Sequence, residues 1–420
     1  MIDSNKFKHA DTTLLEEQRN QPSTFQMRPI AKNRFKLLII LSALIILYNE
    51  VFVYWLAYLN WPSVHKSSLF YHKNGTQIHD LNERPVRLIL VADPQLIGEN
   101  DEPWFIGWLA RWDADRYLRS CFVLANSYTK PDATIFLGDL FDEGLKASDD
   151  QMERYFNRFE SIFHSHKMSH DYGIKQIYIS GDNDVGGEYM GDRNNRLVRR
   201  FEKYFGPNVE LFEFNSYIKF LKLDVDYTAS FYAGNKRKYV RSLVEKSRQQ
   251  DNEMGQKDKL TIILNHISLV RKNPQELDNL NKDTGSSLII KGDNHLFEII
   301  KFNYVKNRIE EYITPLKDKT NNFYMLSLDT EKTKKGVEFV YELSIPTCSY
   351  RMGVPNMGYG LLTLMPNGQA YVSILWLPSR YKSIKFYLVY LGCIACYFLF
   401  NLCIKKNLKK INLIFSNKIA

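Results

Sequence analysis

The sequence predicts a layered α/β sandwich with one membrane-spanning helix at each end. Three observations carry that reading. Short β-branched runs alternate with stretches of helical spacing along residues 85–380, and five of those runs stop at an acid or a histidine. Two long apolar stretches flank this region, each bordered by lysine and arginine.

The first apolar stretch, Leu37–Tyr58, is interrupted only by Ser42 and the Asn49-Glu50 pair. As a helix it reaches about 33 Å at ~1.5 Å per residue, enough for a hydrocarbon core of ~30 Å. The second, Phe386–Ile404, holds no charged residue and reaches about 28 Å by the same rise. Lys32, Arg34 and Lys36 precede the first stretch, and Lys405, Lys406, Lys409 and Lys410 follow the second. An excess of cations marks the cytosolic side, so both termini are expected in the cytosol and residues ~60–384 across the membrane. The expected organisation is a cytosolic basic tail (1–36), a span (37–58), a luminal linker (59–84), a folded domain (85–380), a second span (386–404) and a second basic tail (405–420). Asn74-Gly75-Thr76 is a glycosylation sequon in the linker, which marks Asn74 as a candidate modification site.

A formal charge of +9 invites a nucleic-acid reading, but the charge sits at the ends. Residues 1–36 carry seven Lys/Arg against four Asp/Glu, and residues 405–420 carry five Lys and no acid. The region between is close to neutral, so no nucleic-acid partner is expected and membrane lipid is. Five scattered cysteines exclude a disulfide framework.

Within the middle region the elements follow in order. Arg87–Ala92 reads as a strand, Trp104–Tyr128 as a helix and Ala133–Leu137 as a strand. Ser148–His164 reads as a helix, Gln176–Ser180 as a strand and Asn194–Tyr204 as a helix. Val209–Phe214 and Tyr217–Leu223 alternate like paired strands across an Asn215-Ser216 turn. Lys236–Asp258 is charged and reads as a helix followed by an exposed loop, Thr261–Leu264 and Leu288–Lys291 read as strands, and Glu338–Ile345, Tyr359–Met365 and Ala370–Trp376 close the domain as hairpins.

Five strands end in metal-competent residues: Asp93-Pro94-Gln95, Gly138-Asp139, Gly181-Asp182-Asn183-Asp184, Asn265-His266 and Gly292-Asp293-Asn294-His295. Ligands of α/β sheets bind beyond the carboxyl ends of strands. A pair of divalent ions needs several anionic ligands and small residues that admit close approach. A single Asp after a strand is an ordinary helix cap. Five such ends in succession, three of them Gly-Asp and two bringing histidine, point to metal.

Asp-x-His/Gln, Gly-Asp-x-x-Asp, a Gly-Asn-His-Asp position, a strand-ending His and Gly-x-x-His, in that order, resemble the calcineurin-like metallophosphoesterases. Val91–Gln95, Phe136–Gly144 and Arg200–Gly206 are similar to the membrane-anchored branch that removes ethanolamine phosphate from GPI anchors. The resemblance covers roughly residues 85–376. It implies two central β-sheets flanked by helices and two divalent ions. Asp93, Gln95, Asp139 and His295 would serve one ion, with Asp139 bridging. His266, Asp182 and Asp293 would serve the other. It also implies catalytic roles at Asn183 and Asp184, a substrate contact at Arg351, GPI-anchored proteins as substrate or cargo, and residence between endoplasmic reticulum and Golgi. Four carboxylates favour hard ions, Mn²⁺ first, with Mg²⁺, Fe and Zn²⁺ as alternatives.

One position departs from the family. Asn183 stands where the resemblance places a histidine near the leaving group, and an amide cannot supply a proton at neutral pH. A phosphodiesterase therefore competes with a catalytically weak relative that keeps its metal and recognises GPI-linked cargo. Trp104, Trp108 and Trp112 recur at four-residue spacing, which predicts a buried stripe, with lipid-interface contact as the alternative.

Overall fold

The structure, a computed structural model, describes residues 29–63, 72–73, 76–77, 84–186, 195–225, 233–255, 259–272, 274–314, 323–329 and 337–419. Asn74 lies outside the described residues. The chain divides into two compact units at Phe52 and Val53.

The first unit contains helix α1, Pro29–Leu47, which widens into a π turn at Tyr48–Phe52 where the polar Asn49-Glu50 pair falls. The second begins with α2, Val53–Leu59. The helical run Asn33–Leu59 is 27 residues long, and the apolar part of the last helix, Arg380–Asn407, is 28. Both are long enough to span a bilayer. Leu37, Ile40, Leu44, Leu388 and Phe400 are all exposed, so no protein core among the described residues covers them.

The body of the second unit is four-layered. One sheet is built from β1 (Val86–Val91), β2 (Ala133–Leu137), β3 (Lys175–Ile179) and three later strands. The other uses β4 (Glu210–Glu213), β5 (Ile218–Lys222), β6 (Leu260–Leu264), β7 (Leu288–Lys291), β8 (Glu298–Asn303), β9 (Arg308–Ile313) and β11 (Phe339–Ser344). With β10 (Tyr324–Ser327), β12 (Gly358–Leu364) and β13 (Gln369–Trp376), the first sheet runs β10-β13-β12-β1-β2-β3. The second runs β9-β8-β11-β7-β6-β5-β4. β1, β2 and β3 are mutually parallel, as are β5, β6, β7 and β11.

Strand alternation sorts side chains between layers. On β1, Val86, Leu88 and Leu90 face the other sheet and join Phe220, Ile262 and Ile290 in the central core. Ile89 and Val91 face outward and pack, with Phe136, under helices α3 (Trp104–Thr129) and α4 (Asp149–Phe163). On the far sheet, Leu221, Ile263 and Ile289 face outward to Val240 and Val244 of α6 (Ala233–Glu253). Both sheets are thus covered on both faces, which is why the parallel strands β2, β6 and β7 read as mostly apolar runs. Helix α4 starts where Ser148 and Gln151 close a reciprocal capping box. Helix α5, Asn195–Phe205, packs Phe201 and Phe205 into the same outer core.

The sequence reading passed over the β8–β9 hairpin, whose edge strand β9 is exposed and charged, so its burial signal is weak. The three tryptophans at the start of α3 are exposed, not core; the buried face of that helix begins at Ala114 and Tyr117.

Helix α3 also holds the inner ends of both apolar helices. From α2, the Tyr54 ring lies 6.2 Å from that of Tyr117, and Tyr58 and Trp61 pack on Tyr128 at 5.1 and 5.4 Å. Helix α7, Arg380–Ile419, starts with Arg380, which donates from Nε and Nη2 to the Asp113 carboxylate at 3.0 and 2.5 Å. Tyr350 donates to the same carboxylate at 2.9 Å, and Tyr117 to the Pro378 carbonyl at 2.9 Å. Burial alone would raise the Asp113 pKa; Arg380 and Tyr350 outweigh it and hold the carboxyl below its ordinary range. Arg380→Ala leaves a mostly buried carboxylate with Arg116, at 3.3 Å, as its remaining cation. The expected loss is about 2 kcal/mol of stability, that of charge-assisted hydrogen bonds, read as a lowered denaturation midpoint of the full chain in detergent.

Candidate metal centre

The site forms where the parallel strands of both sheets end. Asp93 follows β1 by two residues, Asp139 follows β2 by two, Asp182 follows β3 by three, and His266 and Asp293 follow β6 and β7 by two. At each end the chain must turn sharply to bring a side chain back over the sheet. Asp93, Gln95, Asp139, Asp293 and His295 accordingly have φ of 48°, 40°, 51°, 72° and 60°. That region is costly for residues with a Cβ. They are five of the eight non-glycine residues with positive φ among those described, so the uncommon backbone geometry concentrates here.

The repeated glycine before aspartate has a steric cause. A Cβ on Gly138, whose φ is +87°, would lie 2.6 Å from His266 Nδ1. A Cβ on Gly181 would collide with the Asp139 carboxylate. Only glycine lets the two sheets bring their ligands this close.

The ligand atoms form two overlapping groups. Asp93, Asp139 and His266 each place one within 4.8 Å of the others, and so do Asp182, His266 and Asp293. The His266 Nδ1–H donates to the Leu137 carbonyl at 2.7 Å, which fixes the tautomer and leaves Nε2 free to act as a ligand. That Nε2 is 3.4 Å from Asp139 Oδ1 and 3.2 Å from Asp182 Oδ1. Asp93 Oδ1 accepts from the Asp293 backbone N–H at 3.2 Å. Asp93 Oδ2 is buried with no hydrogen-bond partner among the described residues.

The remaining residues named by sequence take different places. Gln95 Nε2 donates to Asp139 Oδ2 at 3.0 Å and lies 3.4 Å from His295 Nε2, so Gln95 orients a ligand and His295 stands at the edge of the cluster. Asn183 gives both its backbone N–H and its side-chain amide to Asp139, at 3.0 and 2.7 Å. Asp184 is buried and accepts from the backbone N–H groups of Leu140, Phe141 and Gly181 at 2.9–3.2 Å. Its carboxylate locks the second and third ligand loops together, which corrects the expectation of a catalytic contact to a positioning one. Arg351 is ion-paired with Glu102, so it reaches a substrate phosphate only by changing partner.

Two acids outside the expected set support the ligand loops. Buried Glu143 accepts from the N–H groups of Asn100 and Asp101 at 2.9 and 2.8 Å and so fixes the loop after Gln95. Buried Glu342 accepts from Ser268 Oγ and the N–H groups of Leu269 and Val270, at 2.5, 2.8 and 3.0 Å, and so fixes the turn after His266. The only sequence signal for Glu342 was an acid inside an apolar strand, Phe339–Ser344.

Crowding shapes the charge states. Burial pushes the Asp93 carboxyl up to about 8, with Asp139 and Asp293 adding repulsion and His266 relieving part of it. Burial raises Asp139 to about 6, opposed by His266 and reinforced by Asp182. Asp184 rises to about 7 through burial and the Asp139 charge. At His266 burial disfavours the cation, yet the surrounding carboxylates win and raise its pKa well above the ordinary value. An orphaned carboxylate oxygen and acids that cannot all ionise together fit a divalent cation. Asp93, Asp139, Asp182, Asp293 and His266 are the residues that would hold such ions, and their oxygen-rich donor set suits hard ones.

No protein-family model matches the chain. A protein named metallophosphoesterase 1 homolog from Drosophila melanogaster is 34% identical over 120 residues, covering 29% of this chain and 30% of its own length. Cell division control protein 1 of Saccharomyces cerevisiae is 24% identical over 323 residues, 72% of this chain and 63% of that one. A metallophosphoesterase 1 homolog of Caenorhabditis elegans is 23% identical over 359 residues, 83% of this chain and 87% of that one. The chain thus spans less than two-thirds of the length of the fly and yeast proteins it matches.

The raised carboxyls have a measurable consequence. Without metal the folded protein keeps protons on Asp93, Asp139 and Asp184 that the unfolded chain releases near pH ~4. Stability of the metal-free protein must therefore fall as pH rises from about 4 to about 8. His266 acts in the same direction, since what its raised pKa contributes is complete below its ordinary value and lost above the folded one. Asp182, lowered by His266, acts in the opposite sense only below the ordinary carboxylate range. Thermal melts of EDTA-treated protein should show a falling midpoint across that window, and added Mn²⁺ should flatten the dependence.

Proposed function

We propose that this chain, which resembles the calcineurin-like metallophosphoesterases, is a metal-dependent phosphodiesterase that removes ethanolamine phosphate from GPI anchors. The observation that carries the reading is the convergence of Asp93, Asp139, Asp182, Asp293 and His266 from both sheets around a buried, unpartnered carboxylate oxygen. Divalent ions held there, Mn²⁺ by preference, would supply Lewis-acid polarisation of the phosphoryl oxygens.

The chain's own groups arrange the rest. Asn183 and Gln95 hold both oxygens of Asp139 in place. Asp184 joins the loops that carry Asp139 and Asp182, and Glu143 and Glu342 steady the loops after Gln95 and His266. Asn183 offers no proton, so the leaving oxygen takes its proton from solvent. Four carboxylates against two divalent ions leave the centre without net positive charge, which suits a singly charged diester better than a dianionic monoester. The two apolar helices would cross a secretory-pathway membrane between endoplasmic reticulum and Golgi, with the domain in the lumen and GPI-anchored proteins and lipid as partners.

A second reading is favoured by the Asn183 amide being spent on Asp139: a weakly catalytic relative that keeps its ions and binds GPI-linked cargo. One pair of assays separates the two. Purified full chain with Mn²⁺ should release ethanolamine phosphate from a GPI glycolipid, and Asp139→Ala should abolish release together with ion binding. If the wild type binds ions without release, and Asn183→His creates turnover, the cargo-binding reading holds. In an active wild type, Asn183→His should raise the rate by ~10²–10⁴, the span of a restored general acid.

A further inference from the structure

The first turns of α3 present Trp104, Phe105, Ile106, Trp108, Leu109 and Trp112 to the outside, with Trp104 90% and Trp108 62% exposed. Six adjacent large apolar side chains are a contiguous patch of the kind that marks an interaction surface. Further along the same helix Tyr117, Leu118, Cys121 and Phe122 are covered by the domain core and Val123 alone of the large apolar residues is exposed, so the contiguous apolar exposure belongs to the N-terminal part.

What lies next to the patch says what covers it. Asp113, one residue past Trp112, grips Arg380, the first residue of the second apolar helix. Tyr117, five residues past Trp112, contacts Tyr54 of α2 and donates to Pro378. At ~1.5 Å per residue these points lie within about 8 Å of Trp112 along the helix axis. Helices α2 and α7 therefore both attach to the domain beside the patch, and each exposes apolar side chains of its own, Trp55 and Leu56 on α2 and Leu388 and Phe400 on α7. Tryptophan concentrates at the boundary between hydrocarbon and headgroups, where an apolar ring with one N–H donor is best accommodated. Cations flank the patch: Arg119 is exposed, and the Arg116 guanidinium, paired with Asp113 at 3.3 Å, lies 5.4 Å above the Trp112 ring.

From this juxtaposition we infer that the N-terminal part of α3 seats in the interfacial layer of the phospholipid bilayer that the two apolar helices cross, as a third membrane contact. The inference rests on those helices being spans. It also deepens the proposed function. The loop before α3 runs from Gln95 to Glu102, and Glu102 holds Arg351, so seating α3 brings that rim of the metal centre to the lipid surface. A phosphodiester borne on a membrane-anchored glycolipid would be met there, and a soluble one would not be favoured.

The test uses the full chain in phosphatidylcholine nanodiscs, with and without bromine on the upper acyl chains, and reads tryptophan emission. The chain has six tryptophans, so the contribution of the patch is the difference between wild type and the variant Trp104→Ser/Trp108→Ser/Trp112→Ser. The expected result is loss of most of that difference emission in brominated discs. Trp55 of α2, 51% exposed, remains in the variant beside the buried Trp61 and the part-buried Trp376, so it is the most exposed of the three and its share of the variant's emission reports the span itself. If Trp55 is quenched and the difference emission is unchanged by bromine, the patch does not touch lipid and the inference is overturned. If neither is quenched, the spanning reading fails and takes the inference with it, while the phosphodiesterase reading stands on its own assay. Should the melt of the triple variant show misfolding, the single variant Trp108→Ser gives the same difference measurement.

Discussion

Four carboxylates and a histidine are held closer together than their charges allow without cations, and much of the molecule is arranged to enforce that. Asp93 and Asp139 are buried from water, which would otherwise screen them, and Asp93 keeps one oxygen with no partner. Such a cluster is unfavourable in an empty protein and favourable around divalent ions, so ion binding and the stability of the strand ends are one equilibrium. The cost appears in the backbone as well. Five ligand-loop residues take positive φ, and the loops persist because Asp184, Glu143 and Glu342 tie them down through backbone N–H groups.

The two sheets contribute unequally but inseparably. Asp93, Asp139 and Asp182 come from one and His266 and Asp293 from the other, so the site exists only when the central apolar core brings the sheets face to face. Glycine at 138 is the steric condition for that approach, and glycine at 181 is the condition for two ligand loops of one sheet to meet. Helix α3 extends the same logic outward. Its middle is buried against the sheet that carries Asp93, its Asp113 and Tyr117 hold the starts of both apolar helices, and the loop before it leads back to Gln95. A single rigid element thus links the domain-side ends of two long apolar helices to the rim of the acid cluster.

The strand-end acids were legible because chemistry restricts what stands there: Gly-Asp and His after apolar runs have few other uses in such number. Most element bounds differ from the sequence reading by one to three residues, since ends depend on hydrogen bonds that periodicity does not carry. The missed hairpin Glu298–Ile313 has an exposed, charged outer strand, and alternation without burial gives a weak signal. The predicted burial of Trp104, Trp108 and Trp112 failed because a four-residue repeat says which residues share a face, not what that face meets.

By itself the sequence determined the alternation of strands and helices, the two apolar helices with their charge bias, and a set of candidate metal-binding residues at the strand ends. Those properties are local, set by side-chain type and spacing. Only the tertiary structure decided that His266 joins both ligand groups, that Asn183 spends its amide on Asp139, and that Asp184 accepts from the backbone of Leu140 and Phe141. Each of those facts is a distance between residues separated by tens of positions in the chain, and such distances are fixed by how two sheets stack, which residue spacing does not encode.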